Sequence, residues 1–428
     1  MTKHLLTAII LMLGLHHNTW AQEGNELTLI RQNVAILTDT SFHGRGYVRE
    51  GHELASAFLQ RKYVEYGLKP LPDAGNYVQT YTFPVNTFPG AMEIVLDGKT
   101  LKPGADYIVD VASVSFSGTL PVGRIDLSAL SSQKQLNKTI GKLDEEHIWI
   151  LDGLDSCAHK LGFSARKFAA TLPRGCFIVS QASKLTWDVA QDTIDATVLY
   201  VKADALPAHT SEATIKVDHK FISRSKNDNI AGYVKGTAVP DSYIVFTAHY
   251  DHLGMMGTGA VFPGASDNAS GTAMMLYLAS YFSRHPLRHS VAFIAFSGEE
   301  AGLVGSGYFV QHPMLPLSHI RFLTNVDIMG DATDGVTAVN ATVQPAEFGL
   351  LNHINDSAHY IPVIKSRGRA ANSDHYFFSE AGVPAFFLYS NGGKGYYHDI
   401  FDIGPELTLE HVDGVARLLK DFAAQLCR

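Results

Sequence analysis

The stretch Tyr243-Ile244-Val245-Phe246-Thr247-Ala248 is a short apolar run, and His249-Tyr250-Asp251 follows it directly. The run is too short for an ordinary helix and rich in aromatic and β-branched residues, so it reads as a strand buried on both faces. The same grammar recurs down the chain. Thr272–Phe282 has helical periodicity, Ser290–Phe296 is a second strand run, and Leu303–Val310 is helical again. Ile320–Asp327 and Ala385–Tyr389 read as strands, while Ala346–Ser357, Asp374–Ala381 and Leu409–Leu426 read as helices. Strands alternating with helices predict an α/β sheet covered on both faces. In such sheets ligands gather beyond the C-terminal strand ends.

Working outward, residues 23–85 hold a further amphipathic helix, with Ala55, Phe58, Leu59, Tyr63 and Tyr66 at helical spacing and Gly67 as its stop. Between them and the α/β region, residues 91–217 read as short β-rich runs separated by turns such as Asp97-Gly98 and Pro103-Gly104, with no acid–base constellation of their own. The expected organisation is therefore a main domain over 22–90 plus 218–428, interrupted by an inserted β-rich domain over 91–217. Residues 1–21 read as an export signal: Lys3, an apolar run over residues 5–15, and Thr19-Trp20-Ala21 before Gln22. The run is shorter than the roughly 20 apolar residues a membrane span needs. The expected protein is exported, periplasmic or extracellular, with no membrane span once the signal is removed.

Composition sets further bounds. Of 428 residues, 46% are hydrophobic, enough for a large core, and the net charge of −8 excludes a basic nucleic-acid-binding surface. Three cysteines are too few for a disulfide-dense scaffold. In an oxidising compartment Cys157 and Cys176 could pair and leave Cys427 over; three free thiols are equally compatible with the spacing.

The chemistry sits at the strand ends. His249 and Asp251 follow the first strand, Ser297-Gly298-Glu299-Glu300 the second, and Asp327 ends the third. Gly264-Ala265-Ser266-Asp267-Asn268 precedes a helix, and Tyr396-Tyr397-His398 follows the last strand and a glycine turn. Two imidazoles and three carboxylates at one sheet edge suit a pair of divalent cations, Zn2+ first and Mn2+ or Co2+ as alternatives. Paired ions need a bridging ligand, and Asp267, short-armed and on a loop, is the candidate. Any one of these fragments alone is weak, since single histidines and Glu-Glu pairs are common surface features; the signal is their joint order.

These motifs, His249-Tyr250-Asp251, Gly264 to Gly271, Ser297 to Glu300, Asn325-Val326-Asp327 and Tyr397-His398, resemble those of the dizinc exopeptidase family, which includes secreted bacterial leucine aminopeptidases and glutamate carboxypeptidases. The resemblance is dense over 227–428 and weaker at His43-Gly44-Arg45-Gly46. It implies a mixed, mostly parallel sheet sandwiched by helices, with the insert standing where relatives carry a protease-associated or apical domain. It further implies two zinc ions per chain: His249 and Asp327 on one, Glu300 and His398 on the other, Asp267 bridging. Asp251 then orients His249, Glu299 is the general base, and Tyr397 stabilises the oxyanion. The implied function is a metallopeptidase acting on peptides, foremost an aminopeptidase.

Three other readings compete. A carboxypeptidase would need a cation for the C-terminal carboxylate; Arg367 and Arg369 are the candidates, although surface charge is the simpler expectation for both. A glutaminyl cyclase would need a single zinc, against five ligand positions here. A non-enzymatic ectodomain would lack ligands, whereas all are filled. His252 and His375 are expected to be loop or surface residues. Ser373-Asp374-His375 cannot form a catalytic relay, because consecutive residues do not reach one another.

Overall fold

The apolar runs between residues 239 and 390 form the centre of an eight-stranded sheet in a computed structural model that describes residues 26–72 and 74–428. The expected export signal lies outside the described residues. Strands His289–Phe296, Val239–His249, Ile320–Val326 and Ala385–Ser390 lie side by side and parallel. Lys220–Val234 and then Val78–Thr87 extend one edge antiparallel. Val336–Val339 and Ile364–Ser366 extend the other. Both short strands of that second edge were missed in the sequence, because three or four residues carry no readable periodicity.

Alternation along the strands divides the core. Ile244, Phe246 and Phe293 face helices 26–37, Gly51–Glu65, Gly271–Arg284 and Val412–Leu426, while Val245, Ile294 and Phe296 face Val304–Gln311 and His375–Glu380. Helix Gly271–Arg284 is apolar on nearly all sides because it is enclosed, not amphipathic. Burying one such Phe or Leu contributes about 1.5–3 kcal/mol. No helix of the described residues is long and apolar enough to cross a membrane.

A second eight-stranded sheet is built between residues 92 and 217. It is less purely β than the sequence suggested. Phe116–Asp126, Ile148–Asp152, Gly175–Gln181 and Ala196–Lys202 are parallel, and helices Gln133–Ile140, Leu154–Leu161 and Ala165–Ala169 intervene. Cys157 packs among the helix-side core of this sheet and Cys176 in the core of its other face, so the two are separate buried thiols rather than a disulfide; Cys427 is also free and buried. That other face rests on the main sheet's loops through Trp187, whose ring stacks on Phe262 at 4.7 Å between centroids.

A buried cation ties these loops together. Arg45 is fully enclosed and donates only to main-chain carbonyls: Nε to Tyr250 (2.9 Å), Nη1 to Leu37 (3.0 Å) and Pro263 (2.6 Å), Nη2 to Gly264 (2.8 Å) and Asp267 (3.4 Å). Burial lowers its pKa to about 10, with Asp402 and Asp267 opposing the shift, so it stays charged. The flanking Gly46 has no room for a side chain, since a Cβ there would lie 2.5 Å from the Cα of Gly254. Arg45→Met should lower the unfolding free energy in urea by about 3 kcal/mol or more, because each buried carbonyl left unsatisfied costs roughly 1–3 kcal/mol. Arg45→Lys should recover little, as an ammonium has too few donors for this set of acceptors. A loss below about 1 kcal/mol for Arg45→Met would refute the clamp.

Candidate metal centre

The register of the parallel strands brings the polar strand ends to one level. His249 is opposite Phe296, Thr247 opposite Asn325, and Val326 opposite Leu388. Residues just beyond these positions therefore share one rim. His249 Nε2 lies 3.2 Å from Asp327 Oδ1 and 3.3 Å from Asp267 Oδ1. His398 Nε2 lies 3.3 Å from Asp267 Oδ2 and 3.0 Å from Glu300 Oε2. Asp267 thus turns one carboxylate oxygen to each imidazole. All five side chains are buried.

The other ring nitrogens decide what this cluster can hold. His398 Nδ1 faces the carbonyl of Trp187 at 2.8 Å, and His249 Nδ1 faces that of Asp251 at 3.2 Å. Each Nδ1 then carries a proton, and in the neutral imidazole the Nε2 lone pair is left aimed at carboxylate oxygens. Acceptors face acceptors, and His398 Nε2 has no hydrogen-bond partner. Such a donor set fits cations held between these atoms.

The electrostatics call for positive charge at the same atoms, as a proton on each Nε2 or as a cation in its place. Burial would lower the His398 pKa, but Glu300 and Asp267 outweigh it and push it up to about 12. His249 is likewise raised, burial being overcome by Asp327 and Glu299. Burial acts to raise Glu300, yet His398 and His252 hold it at about 2. Glu299 moves in the opposite direction to its neighbour Glu300. Burial raises it well above the ordinary glutamate range, and Glu300 and Asp327 add to this against the pull of His249.

The supports come from distant parts of the chain. Thr247 donates to Asn325 (2.7 Å), Asn325 to Ser373 (2.7 Å), and Ser373 to Asp327 Oδ2 (2.8 Å), which fixes that carboxylate. The carboxylate of Asp402 accepts the backbone N–H groups of Ser266 (2.8 Å) and Asp267 (3.1 Å). Asp251 is nearby, but its carboxylate is 3.8 Å from His249 Nδ1; the main-chain carbonyl of Asp251 is the nearer acceptor, and the carboxylate instead takes the N–H of Glu299 at 3.3 Å. Tyr397 stacks on the His398 ring at 3.8 Å between centroids and is half exposed.

Several expectations need correction. His252 and His375 are fully buried, not surface residues. His252 Nδ1 sits 2.6 Å from Glu300 Oε1, a residue close enough in sequence to His249 to have been included on chemistry alone. Residues 91–217 do reach the site: Trp187 also donates its N–H to the carbonyl of His398 (3.0 Å), and a carboxylate oxygen of Asp188 lies within 4.8 Å of ligand atoms of Glu300 and His398. No local signal marks these two residues, because their partners are more than a hundred positions away.

Comparison with known proteins agrees with this geometry. Residues 229–423 match the model described as Peptidase family M28. Aminopeptidase YwaD of Bacillus subtilis (strain 168) is 30% identical over 215 residues, 47% of this chain and 43% of that protein. The probable aminopeptidase YDR415C of Saccharomyces cerevisiae is 28% identical over 214 residues, 46% of this chain and 57% of that protein. The match thus spans about half the length of these curated relatives. The fold is that of BSAP, a zinc aminopeptidase from Bacillus subtilis, with TM-score 0.66 and 17% identity over 93% of this chain and 94% of that one. It is also that of a peptidase M28 precursor from Shewanella amazonensis SB2B, with TM-score 0.67 and 14% identity over 95% and 97%. Residues 229–423, the segment that matches peptidase family M28, carry every strand-end imidazole and carboxylate of the cluster.

Proposed function

We propose that this chain is an exported zinc aminopeptidase that hydrolyses the N-terminal residue from peptides. The observation that carries the reading is the position of Asp267, with one oxygen 3.3 Å from each imidazole. His249 and Asp327 would hold one zinc, His398 and Glu300 the other, and Asp267 both. When bound, two such ions supply Lewis-acid polarisation of the scissile carbonyl and a water acidified toward neutrality. The remaining work falls to the chain. Glu299, its basicity raised by burial, accepts a proton from the attacking water and delivers it to the departing amine. Tyr397, beside His398, offers its hydroxyl to the carbonyl oxygen as negative charge develops. Asp251 fixes the His249 ring through its carbonyl and the Glu299 backbone through its carboxylate. Residues 91–217 are an inserted domain that walls the site through Trp187 and Asp188. The names of the aminopeptidase relatives support the choice of an N-terminal over a C-terminal exopeptidase.

Glu299→Gln should keep two zinc ions per chain by elemental analysis and lower kcat by about 10^2–10^4 against leucyl p-nitroanilide, the usual range for a lost acid–base group. Loss of metal from a folded Glu299→Gln protein would refute its role as base. Asp267→Asn should weaken both ions together, and titration showing two ions still tightly bound would exclude bridging. For export, N-terminal sequencing of the protein recovered outside the cytoplasm should begin at Gln22; an intact residue 1 there would contradict signal removal.

A further inference from the structure

The catalytic scheme leaves unused a cation in the wall of the cleft. The chain leaves edge strand Ile364–Ser366 at Arg367, whose N–H donates to the carbonyl of Ala338 at 2.9 Å. Its Nη1 lies 3.4 Å from the hydroxyl of Tyr389. Among the described residues no carboxylate lies within ion-pairing distance of Arg367, whereas Arg369 pairs with Glu380 at 3.4 Å. Both side chains are exposed, as expected of surface charge, but of the two only Arg369 has a carboxylate partner among the described residues.

Arg367 helps line a cavity of about 350 Å3 that opens onto His249, Asp327 and Glu299. Phe387 and Tyr389, with ring centroids 5.3 Å apart, form one aromatic stretch of its wall, and Tyr397 forms another. A wider hollow of about 690 Å3, carrying Asp188 and Asp192, meets it at Glu299, Asn372 and Tyr397. An exopeptidase needs one compartment for a single residue and another through which the rest of the peptide leaves. The smaller hollow, at the low end of ligand-site volumes, suits the single residue. Its aromatic wall suits the methylenes of a side chain, and a planar guanidinium suits a carboxylate at the end of it.

We propose that Arg367 binds the acidic side chain of the substrate's N-terminal residue, which makes the protein selective for glutamyl and aspartyl peptides. The inference rests on the aminopeptidase reading above and adds the substrate class.

The test compares glutamyl and glutaminyl p-nitroanilides, which differ by one charge. The wild type should prefer the glutamyl substrate in kcat/KM. Arg367→Gln should lower the glutamyl-to-glutaminyl ratio by about 10- to 100-fold, the range for a hydrogen bond to a charged group. Arg367→Lys should recover part of it. Free L-glutamate, a product, should raise the Tm of the zinc-loaded wild type more than L-glutamine does, and Arg367→Gln, at equal zinc content, should abolish the difference. If glutaminyl and leucyl substrates are cleaved and the ratio is unmoved by Arg367→Gln, this assignment fails while the aminopeptidase reading stands. If no free-amine substrate is cleaved, the aminopeptidase reading fails, and an absent glutamate-specific Tm shift then overturns this inference as well. A preference for Leu-Ala over Leu-Ala amide that Arg367→Gln removes would assign Arg367 to a C-terminal carboxylate and overturn it too.

Discussion

Two imidazoles face three carboxylates across gaps that call for positive charge, a proton or a cation, and the surrounding architecture is organised by that constraint. Both Nδ1 atoms are committed to carbonyls, so both Nε2 atoms point at carboxylate oxygens 3.0–3.3 Å away. In water such a cluster would disperse. Inside the protein it is tolerable only where cations neutralise it and rigid elements hold it. The C-terminal rim of a parallel sheet meets both conditions, since strand register fixes heights to within a residue and the space beyond the strand ends is free of side-chain packing.

Register alone places only some of the side chains. Asp327 and His249 follow strands directly, but Asp267 and His398 lie on loops and need outside anchors. Asp402 receives the Ser266 and Asp267 N–H groups on one side of the first loop, while Arg45 collects the Gly264 and Asp267 carbonyls on the other. The loop is thereby held by both kinds of backbone group. Satisfying a buried guanidinium entirely with carbonyls keeps a positive charge beneath the acids without neutralising any one of them, so none of the five is lost to an ion pair with it.

This division explains which parts were legible in the sequence. Strand runs ending in His249, Glu299-Glu300 and Asp327 could be read because local hydrophobic pattern and site chemistry coincide there. The convergence of Asp267 and His398 with them followed from motif order. Arg45 was visible only as part of a weak motif, and its function as a clamp depends on contacts more than two hundred residues away. His252 looked like an extra loop histidine because polarity predicts exposure, but pairing with Glu300 makes its burial affordable. The helices within 133–169 were obscured by short length and by flanking β-rich runs. Trp187 carries no local signal because its partners, Phe262 and His398, lie on loops and a small hairpin outside its own sheet.

That last contact changes the status of the second sheet. His398 has φ 58°, a left-handed conformation that costs a residue with a Cβ roughly 1–2 kcal/mol. Trp187 holds it there with both its N–H and its carbonyl, and the Trp187 ring is anchored in the core of the second sheet. The seating of that sheet and the orientation of one imidazole in the cluster are therefore a single event. Any cation that binds the cluster must stabilise the docked arrangement by its preference for it over the undocked one, and docking must raise cation affinity by the same factor. The second sheet is thus joined to the candidate metal centre through two hydrogen bonds, one indole ring and the nearby carboxylate of Asp188.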